Sequence, residues 1–162
     1  MAKTRNSLDQ RPLGNPGSGA FRVDRYPFYL LNRALGHYNV VISARLRGIA
    51  IDIPTWRVLM VLGERSPRSI GQIAEASVIK LSTMMRILER MADAGLVTSA
   101  PSTLDARVTE VFLSNAGRGK VVEARAATAP VYAAAIGGFS AVDFDRMIML
   151  LGRLHDNLTG ME

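Results

Sequence analysis

The most informative pattern of apolar and polar positions lies in residues 80–94, which predict an amphipathic helix. At about 100° per residue, its apolar face consists of Leu81, Met84, Met85, Leu88 and Met91. The opposite face carries hydroxyl groups near its start and guanidinium groups further along, from Ser82, Thr83, Arg86 and Arg90. A helix that enters a DNA major groove needs such small polar groups and cations. An ordinary helix with a solvated polar face shows the same pattern, so the flanking residues decide between the two interpretations.

A shorter helix is predicted directly before this one, over residues 69–76. Ser69 and Gln72 have the spacing of a capping box, in which each side chain bonds the backbone N–H of the other residue. The connection over residues 77–79 has the length expected between the two helices of a helix-turn-helix. Residues 80–94 are then its recognition helix.

An extended hairpin is predicted after the recognition helix, over residues 96–113. Gly95 stands where a left-handed residue commonly ends a helix. Residues 97–99 and 108–113 are strand-like, and Arg107 lies at the end of the turn between them. Two helices and a hairpin with an arginine at its tip indicate a winged helix-turn-helix.

Two helices are predicted before this unit. Pro27 opens a long helix that runs to about Gly48, because a proline in the first turn loses no hydrogen bond. Asp52 is a suitable N-cap for a second helix over residues 53–64. Residues 63–68 are predicted as a loop that leads to the helix-turn-helix.

Two further helices are predicted after the hairpin. Ser114 caps the first of them, Pro130 inside it predicts a kink or a break, and Gly137 ends it. Ser140 and Asp143 cap the last helix. The terminal helices carry wider apolar stripes than one chain can cover, which predicts that two copies bury them across a twofold axis.

These elements predict a mainly α-helical fold with a small β wing, divided into four segments. Residues 1–20 are expected to form a disordered arm, since they are rich in Gly, Pro and polar residues. Residues 21–50 are the first part of a dimerisation region, 51–114 a winged helix-turn-helix DNA-binding domain, and 115–162 the second part of the dimerisation region.

Composition and charge narrow the function classes. The formal net charge of +6 and the sequence pI of about 10.3 favour a polyanionic partner. The absence of cysteine excludes disulfides, thiolate nucleophiles and thiol-based redox sensing. The sequence contains neither a membrane span nor an apolar signal segment at its start, so we expect a cytoplasmic protein without a membrane partner.

Catalytic and metal sites are not predicted. His37 and His155 fall on different predicted helices, and residues 117–120 lack the strand and spacing of a phosphate-binding loop. Two histidines without cysteine show no spacing typical of a metal site. We therefore expect no enzyme activity, metal or cofactor.

The residues and the order of these elements resemble the MarR family of bacterial regulators, from about Pro27 to Leu158. The similarity is strongest in the opening of the second helix, the helix-turn-helix, the wing and the helix after it. The motifs are Ile51-Asp52-Ile53-Pro54-Thr55-Trp56-Arg57-Val58-Leu59, Ile73-Ala74, Ser82 to Met91, Gly95-Leu96-Val97, Asp105-Ala106-Arg107 and Leu113-Ser114-Asn115-Ala116-Gly117. Three positions depart from the family pattern: Ala50 replaces a glycine, Lys80 replaces a capping residue, and Met85 stands where a polar reader is common.

The resemblance implies a homodimer that binds pseudo-palindromic double-stranded DNA and represses transcription. Ser82, Thr83 and Arg86 would then lie in the major groove, and Asp105 would orient Arg107 in the minor groove. The remaining candidate DNA contacts are Arg68, before a helix N-terminus where a phosphate can bind, with Lys80 and Arg90. The alternative is a ligand-binding helical dimer or scaffold without DNA binding.

The resemblance also implies release from DNA by a small organic ligand. An aromatic carboxylate fits a lining of arginine and aromatic residues, because arginine pairs with carboxylates in bidentate fashion. The candidate ligand residues are Arg33, His37, Tyr38, Arg45, Trp56 and Met60. The alternative, which the pattern favours, is that Arg33 and His37 form a solvated flank of the first helix and that Trp56 is a core anchor.

Overall fold

The computed structural model describes residues 9–161, which are mostly helical. Two short 3-10 helices, Arg11–Gly14 and Val23–Arg25, come first. They are followed by α1 (Pro27–Arg47), α2 (Ile53–Glu64), β1 (Arg68–Ser69), α3 (Ile70–Ser77), α4 (Leu81–Asp93), β2 (Val97–Pro101), β3 (Thr109–Leu113), α5 (Asn115–Ile136) and α6 (Ala141–Thr159). The predicted fold class, mainly α with a small β wing, is confirmed.

The chain divides into two compact units, with the boundary between Ala44 and Arg45 inside α1. In the first unit, the Arg22 amide donates a 2.8 Å hydrogen bond to the Leu13 carbonyl, which joins the two 3-10 helices. Local hydrogen bonds organise the backbone within residues 9–20, the described part of the segment predicted as a disordered arm. Residues 1–8 lie outside the described residues.

The second unit has one apolar core, to which α2, α3, α4, the sheet and α5 all contribute. Its members are Val58, Leu59, Leu62, Ile73, Ala74, Met84, Ile87, Leu88, Met91, Val97, Val111, Leu113 and Val121. Val121 and Ala124 of α5 are buried together with residues of α2. The first half of α5 therefore packs with the winged helix, across the domain boundary predicted after residue 114.

The buried face of α4 differs from the predicted apolar face. Met84, Leu88 and Met91 are buried as expected, but Leu81 is 54% exposed and Met85 48% exposed. Ile87, which the prediction left out, is only 6% exposed. The prediction was wrong at these positions because α2, α3 and the sheet cover a sector of the helix that is turned by about 50° from the predicted face, towards Ile87 and away from Leu81 and Met85.

The sheet has three antiparallel strands in the order β1-β3-β2. In the hairpin, Val97 pairs with Leu113 and Pro101 with Thr109. The strand β1 was predicted as part of a loop, but Arg68 pairs with Val111 and Ser69 with Glu110. Two residues are too short for any alternation of polar and apolar positions, so the sequence carries no signal for this strand.

The predicted helix starts are confirmed by their caps. Asp52, Ser69, Ser114 and Ser140 each accept a hydrogen bond from the backbone N–H three residues further along. Capping boxes are formed at the starts of α3 and α6. A break at Pro130 is not found within Asn115–Ile136, where α5 continues as one helix.

The last helix, α6, is amphipathic but exposed. All of its residues are described, and none of them is buried. The apolar side chains that it exposes are Val142, Ile148, Met149, Leu150, Leu151 and Leu158. Within residues 9–161, no helix is both long and apolar enough to cross a membrane.

Candidate nucleic-acid interface

The helix α4 presents a polar face opposite its buried one. Met84, Ile87, Leu88 and Met91 fix the helix on the core. Ser82, Thr83 and Arg86 are exposed, within the first two turns. This arrangement places hydroxyl and guanidinium groups where the wall of a duplex groove could meet them.

Local hydrogen bonds define both ends of α3 and the turn that leads from it to α4. The Ser69 hydroxyl accepts a 3.2 Å hydrogen bond from the Gln72 N–H, and the Gln72 side chain accepts a 3.0 Å bond from the Ser69 N–H. Val78 then takes a left-handed conformation with φ of 54°. The Ile79 amide donates to the Ala74 carbonyl at 3.0 Å, which closes the end of α3.

Lys80 occupies the N-cap position of α4. An ammonium group cannot accept hydrogen bonds from the first N–H groups of the helix. These donors and the lysine charge together make the start of α4 electropositive, which favours an anion such as a DNA phosphate.

The wing carries an arginine held by a neighbouring carboxylate. The backbone N–H, the Nε and the Nη2 of Arg107 each donate to the Asp105 carboxylate at 3.0 Å. The Arg107 side chain is nevertheless 90% exposed. The hydrogen bonds from Arg107 hold the pKa of the Asp105 carboxyl below its usual value, and the same pairing raises the pKa of the guanidinium. The wing therefore presents a pre-oriented cation to solvent.

Two further predicted DNA contacts are paired with carboxylates. Arg90 donates to Asp52 Oδ2 at 2.7 Å and to Thr55 Oγ1 at 3.4 Å. Arg68 donates to Glu64 Oε2 at 2.8 Å, and its side chain is only 20% exposed. Both side chains thus link elements of the core, and their contact with DNA stays a prediction.

Comparison with known proteins identifies the chain. The MarR family model matches residues 51–108. The HTH-type transcriptional repressor IacR of Pseudomonas putida is 34% identical over 144 residues, which cover 89% of this chain and 86% of that protein. The chain belongs to the MarR family of transcriptional regulators.

Several solved structures share this fold. A MarR-family regulator from Silicibacter pomeroyi has a TM-score of 0.77 at 23% identity, and the match covers 90% of this chain and 95% of that one. Bordetella bronchiseptica BpsR, whose DNA binding is regulated by 6-hydroxynicotinic acid, has a TM-score of 0.75 at 20% identity. This match covers 85% of this chain and 99% of BpsR. Because both identities are below 25%, these similarities support the fold alone.

The candidate ligand residues of this MarR-family chain fall into both units. In the first unit, the Arg33 guanidinium lies 5.6 Å from the centroid of the Tyr29 ring, and His37 follows one turn later on α1. Tyr38 is half-buried. In the second unit, Arg45 is exposed, while Trp56 and Met60 are half-buried one turn apart on α2. Each group is compatible with an aromatic anion, and the ligand site stays a prediction.

Two features near the recognition helix α4 were missed in the sequence analysis. The pair between Arg90 and Asp52 joins residues that are 38 positions apart, so no local pattern indicates it. Leu81 and Met85 were assigned to the core, and their exposure follows from how α2, α3 and the sheet cover α4.

Proposed function

We propose that this MarR-family chain is a repressor that binds an inverted repeat in duplex DNA as a homodimer and leaves it when a small organic acid binds. The observation that carries the proposal is the exposed row Ser82, Thr83 and Arg86 on a helix whose other face is fixed in the core. The similarity to the repressor IacR supports repression as the outcome of binding.

The recognition helix would read bases in the major groove. A guanidinium group can donate two hydrogen bonds to the O6 and N7 atoms of guanine, and hydroxyl groups can pair with several base edges. Arg86 is the residue that fits the first role, and Ser82 and Thr83 fit the second. Lys80 at the helix start would contact a phosphate without reading sequence.

The wing would read the shape of the minor groove. A narrow minor groove has an enhanced negative potential that attracts arginine side chains. Arg107 is almost fully exposed and is held in one orientation by Asp105, so little conformational entropy is lost when it inserts. This contact would favour A·T-rich sequence beside each half-site.

Dimerisation through the terminal helices is supported by the apolar face of α6. A soluble monomer rarely leaves a contiguous apolar surface of this kind in water. Ile148 and Leu151 are exposed at positions three residues apart, on one side of the helix. A twofold interface would bury this face and set two recognition helices about one duplex turn apart.

The effector would be an aromatic carboxylate. The regulation of BpsR by 6-hydroxynicotinic acid supports this ligand class, and the arginine and aromatic side chains of α1 and α2 offer suitable chemistry. Such an acid should raise the melting temperature of the free protein and weaken its DNA binding. A thermal-shift series of aromatic acids in which no compound raises the melting temperature would remove this part of the proposal.

Anisotropy measurements with a selected operator duplex test the DNA contacts. We expect Arg86→Ala and Arg107→Ala each to weaken specific binding by about fivefold to 150-fold, since a good base or groove contact contributes about 1–3 kcal/mol. Arg22→Ala is the matched control, because Arg22 pairs with Asp24 two residues away in the same bidentate manner but lies outside the winged helix. Unchanged affinity in both test variants would overturn the proposal in favour of a helical dimer without DNA binding.

A further inference from the structure

The recognition helix exposes two large apolar side chains next to its polar face. Leu81 and Met85 are about half exposed, in a helix that otherwise buries its large apolar residues. Leaving such groups in water forgoes their contribution to folding, which is about 25 cal/mol for each Å² of apolar surface. Their exposed apolar surface is therefore available for a partner to cover.

The two residues lie side by side on the reading side of the helix. At about 100° per residue, Leu81 and Met85 are separated by about 40°, and Met85 is about 60° from Ser82. Met85 also lines a cleft together with Thr98 and Ser99 of β2. One side of Met85 thus rests against the base of the wing while the rest stays exposed, close to the hydroxyl of Ser82.

The surrounding charges identify the partner class. Lys80 precedes Leu81 directly and Arg86 follows Met85, and both cations are exposed. The exposed Glu89 lies one turn after Met85 and lines the same cleft, so the cations are concentrated at the start of the helix, beside both apolar side chains. A polyanion with apolar groups on its surface matches this mixture better than an apolar protein surface does. In the DNA major groove, the apolar group on a base edge is the 5-methyl of thymine.

We propose that Leu81 and Met85 contact thymine methyl groups in the major groove and so determine part of the operator sequence. This inference rests on the proposed DNA binding and deepens it. The Met85 thioether is only a weak hydrogen-bond acceptor, so its contact with a base edge would be mainly apolar. The hydroxyl groups of Ser82 and Thr83 and the guanidinium of Arg86 keep the hydrogen-bonding part of the readout.

Replacement of thymine by uracil tests the inference, because it removes one methyl group and leaves the Watson–Crick pair in place. The thymines of a selected operator are replaced one at a time in both half-sites, and the Kd is measured by anisotropy. Burial of one methyl group is expected to contribute about fourfold in affinity. At least one position in each half-site should show this loss for the wild-type protein.

The variants Met85→Ala and Leu81→Ala assign the effect to residues. Each variant should lose the sensitivity to uracil at the thymine that the substituted residue contacts. The thymine and uracil duplexes should then bind that variant equally. Met161→Ala is the matched control, since Met161 is a strongly exposed methionine beyond α6. It should keep the fourfold difference. Circular dichroism of each variant checks that the fold is intact, as we expect for substitutions at half-exposed positions.

Three results would overturn the inference without removing the proposed DNA binding. The first is specific binding with no thymine whose methyl group matters. The second is a uracil effect that is the same in the wild type and in both variants, which would assign it to DNA shape. A shift of the variants from dimer to monomer in size-exclusion chromatography would assign the residues to a protein interface and also overturn it. Absence of sequence-specific binding by the wild type would instead remove the proposed function.

Discussion

The Arg90 guanidinium donates a 2.7 Å hydrogen bond to the Asp52 carboxylate and so joins the end of the recognition helix to the start of α2. The other carboxylate oxygen accepts the Thr55 N–H at 2.8 Å and caps α2. Asp52 therefore serves as a helix cap and as an anchor for α4. Because Ser82, Thr83 and Arg86 are on the same rigid helix, this contact contributes to their position.

The pH dependence of stability should report the Asp52 charge. Partial burial raises the pKa of the Asp52 carboxyl, but hydrogen bonds from Thr55 and the charge of Arg90 outweigh it, so the pKa lies below its usual value. A carboxyl with a lowered folded-state pKa stabilises the fold above its unfolded-state pKa of about 3.9, and this stabilisation is lost as the pH falls through the folded-state value. The Asp52→Asn variant retains a cap and removes the charge.

Urea denaturation of the wild type and Asp52→Asn at several pH values measures this contribution. We expect the wild type to be more stable by about 0.2–1 kcal/mol at pH 7, as for a partly exposed ion pair, and the difference to narrow below about pH 4. Asp145→Asn on the exposed face of α6 serves as the control. A difference that is constant from pH 7 to pH 3 would contradict the role of the Asp52 charge.

Two glycines in α5 should respond to alanine in opposite directions. A Cβ atom at Gly117 would lie 2.0 Å from the Leu96 carbonyl oxygen. With alanine there, α5 could not stay this close to the backbone at Leu96. At Gly119, a Cβ atom meets nothing within 4 Å outside the local helix backbone. We expect Gly117→Ala to destabilise the fold by about 1–3 kcal/mol, and Gly119→Ala to stabilise it by about 0.5–1 kcal/mol. Equal effects in urea denaturation would contradict the close contact.

The turn of the helix-turn-helix is strained at Val78. A β-branched residue at φ of 54° pays an energetic cost that asparagine largely avoids. Val78 is 87% exposed, so its replacement removes little buried surface. We expect Val78→Asn to stabilise the protein by about 1 kcal/mol in thermal or urea unfolding. Val122→Asn on the exposed side of α5 is the control and should bring no gain, because valine and asparagine have similar helix propensity.

The oligomeric state should depend on the apolar face of α6. Leu151 is 42% exposed on this face, and glutamate there would place two charges near the proposed twofold interface. We expect Leu151→Glu to shift the protein from dimer to monomer in size-exclusion chromatography with light scattering. Leu104→Glu makes the same chemical change in the turn between β2 and β3, where the side chain is almost fully exposed, and should leave the dimer intact. A dimer that tolerates Leu151→Glu would exclude Leu151 from the buried part of the interface and contradict this prediction.

The sequence predicts features that depend on a few neighbouring residues. The caps at Asp52, Ser69, Ser114 and Ser140 need one side chain and an N–H three residues away, so local spacing suffices. Gly95 is at a positive φ of 68° as its place after a helix predicts. The order of the helices and the hairpin follows from these signals.

Features set by tertiary contact could not be predicted from local patterns. The strand β1 exists because Arg68 pairs with Val111 on β3, and the two residues themselves show no strand pattern. The helical wheel predicts that α4 has an apolar face, but the neighbouring elements determine which sector is buried, and that sector is turned by about 50° from the predicted one. Leu81, Met85 and Ile87 were misassigned for this reason.

Selection of bound duplexes from a randomised DNA pool tests the central claim most directly. The account predicts an enriched inverted repeat with half-site centres about 10–10.5 base pairs apart, bound by two chains per duplex. Native mass spectrometry of the complex gives the number of chains. Failure to enrich any sequence, or an enriched single site bound by one chain, would contradict the account.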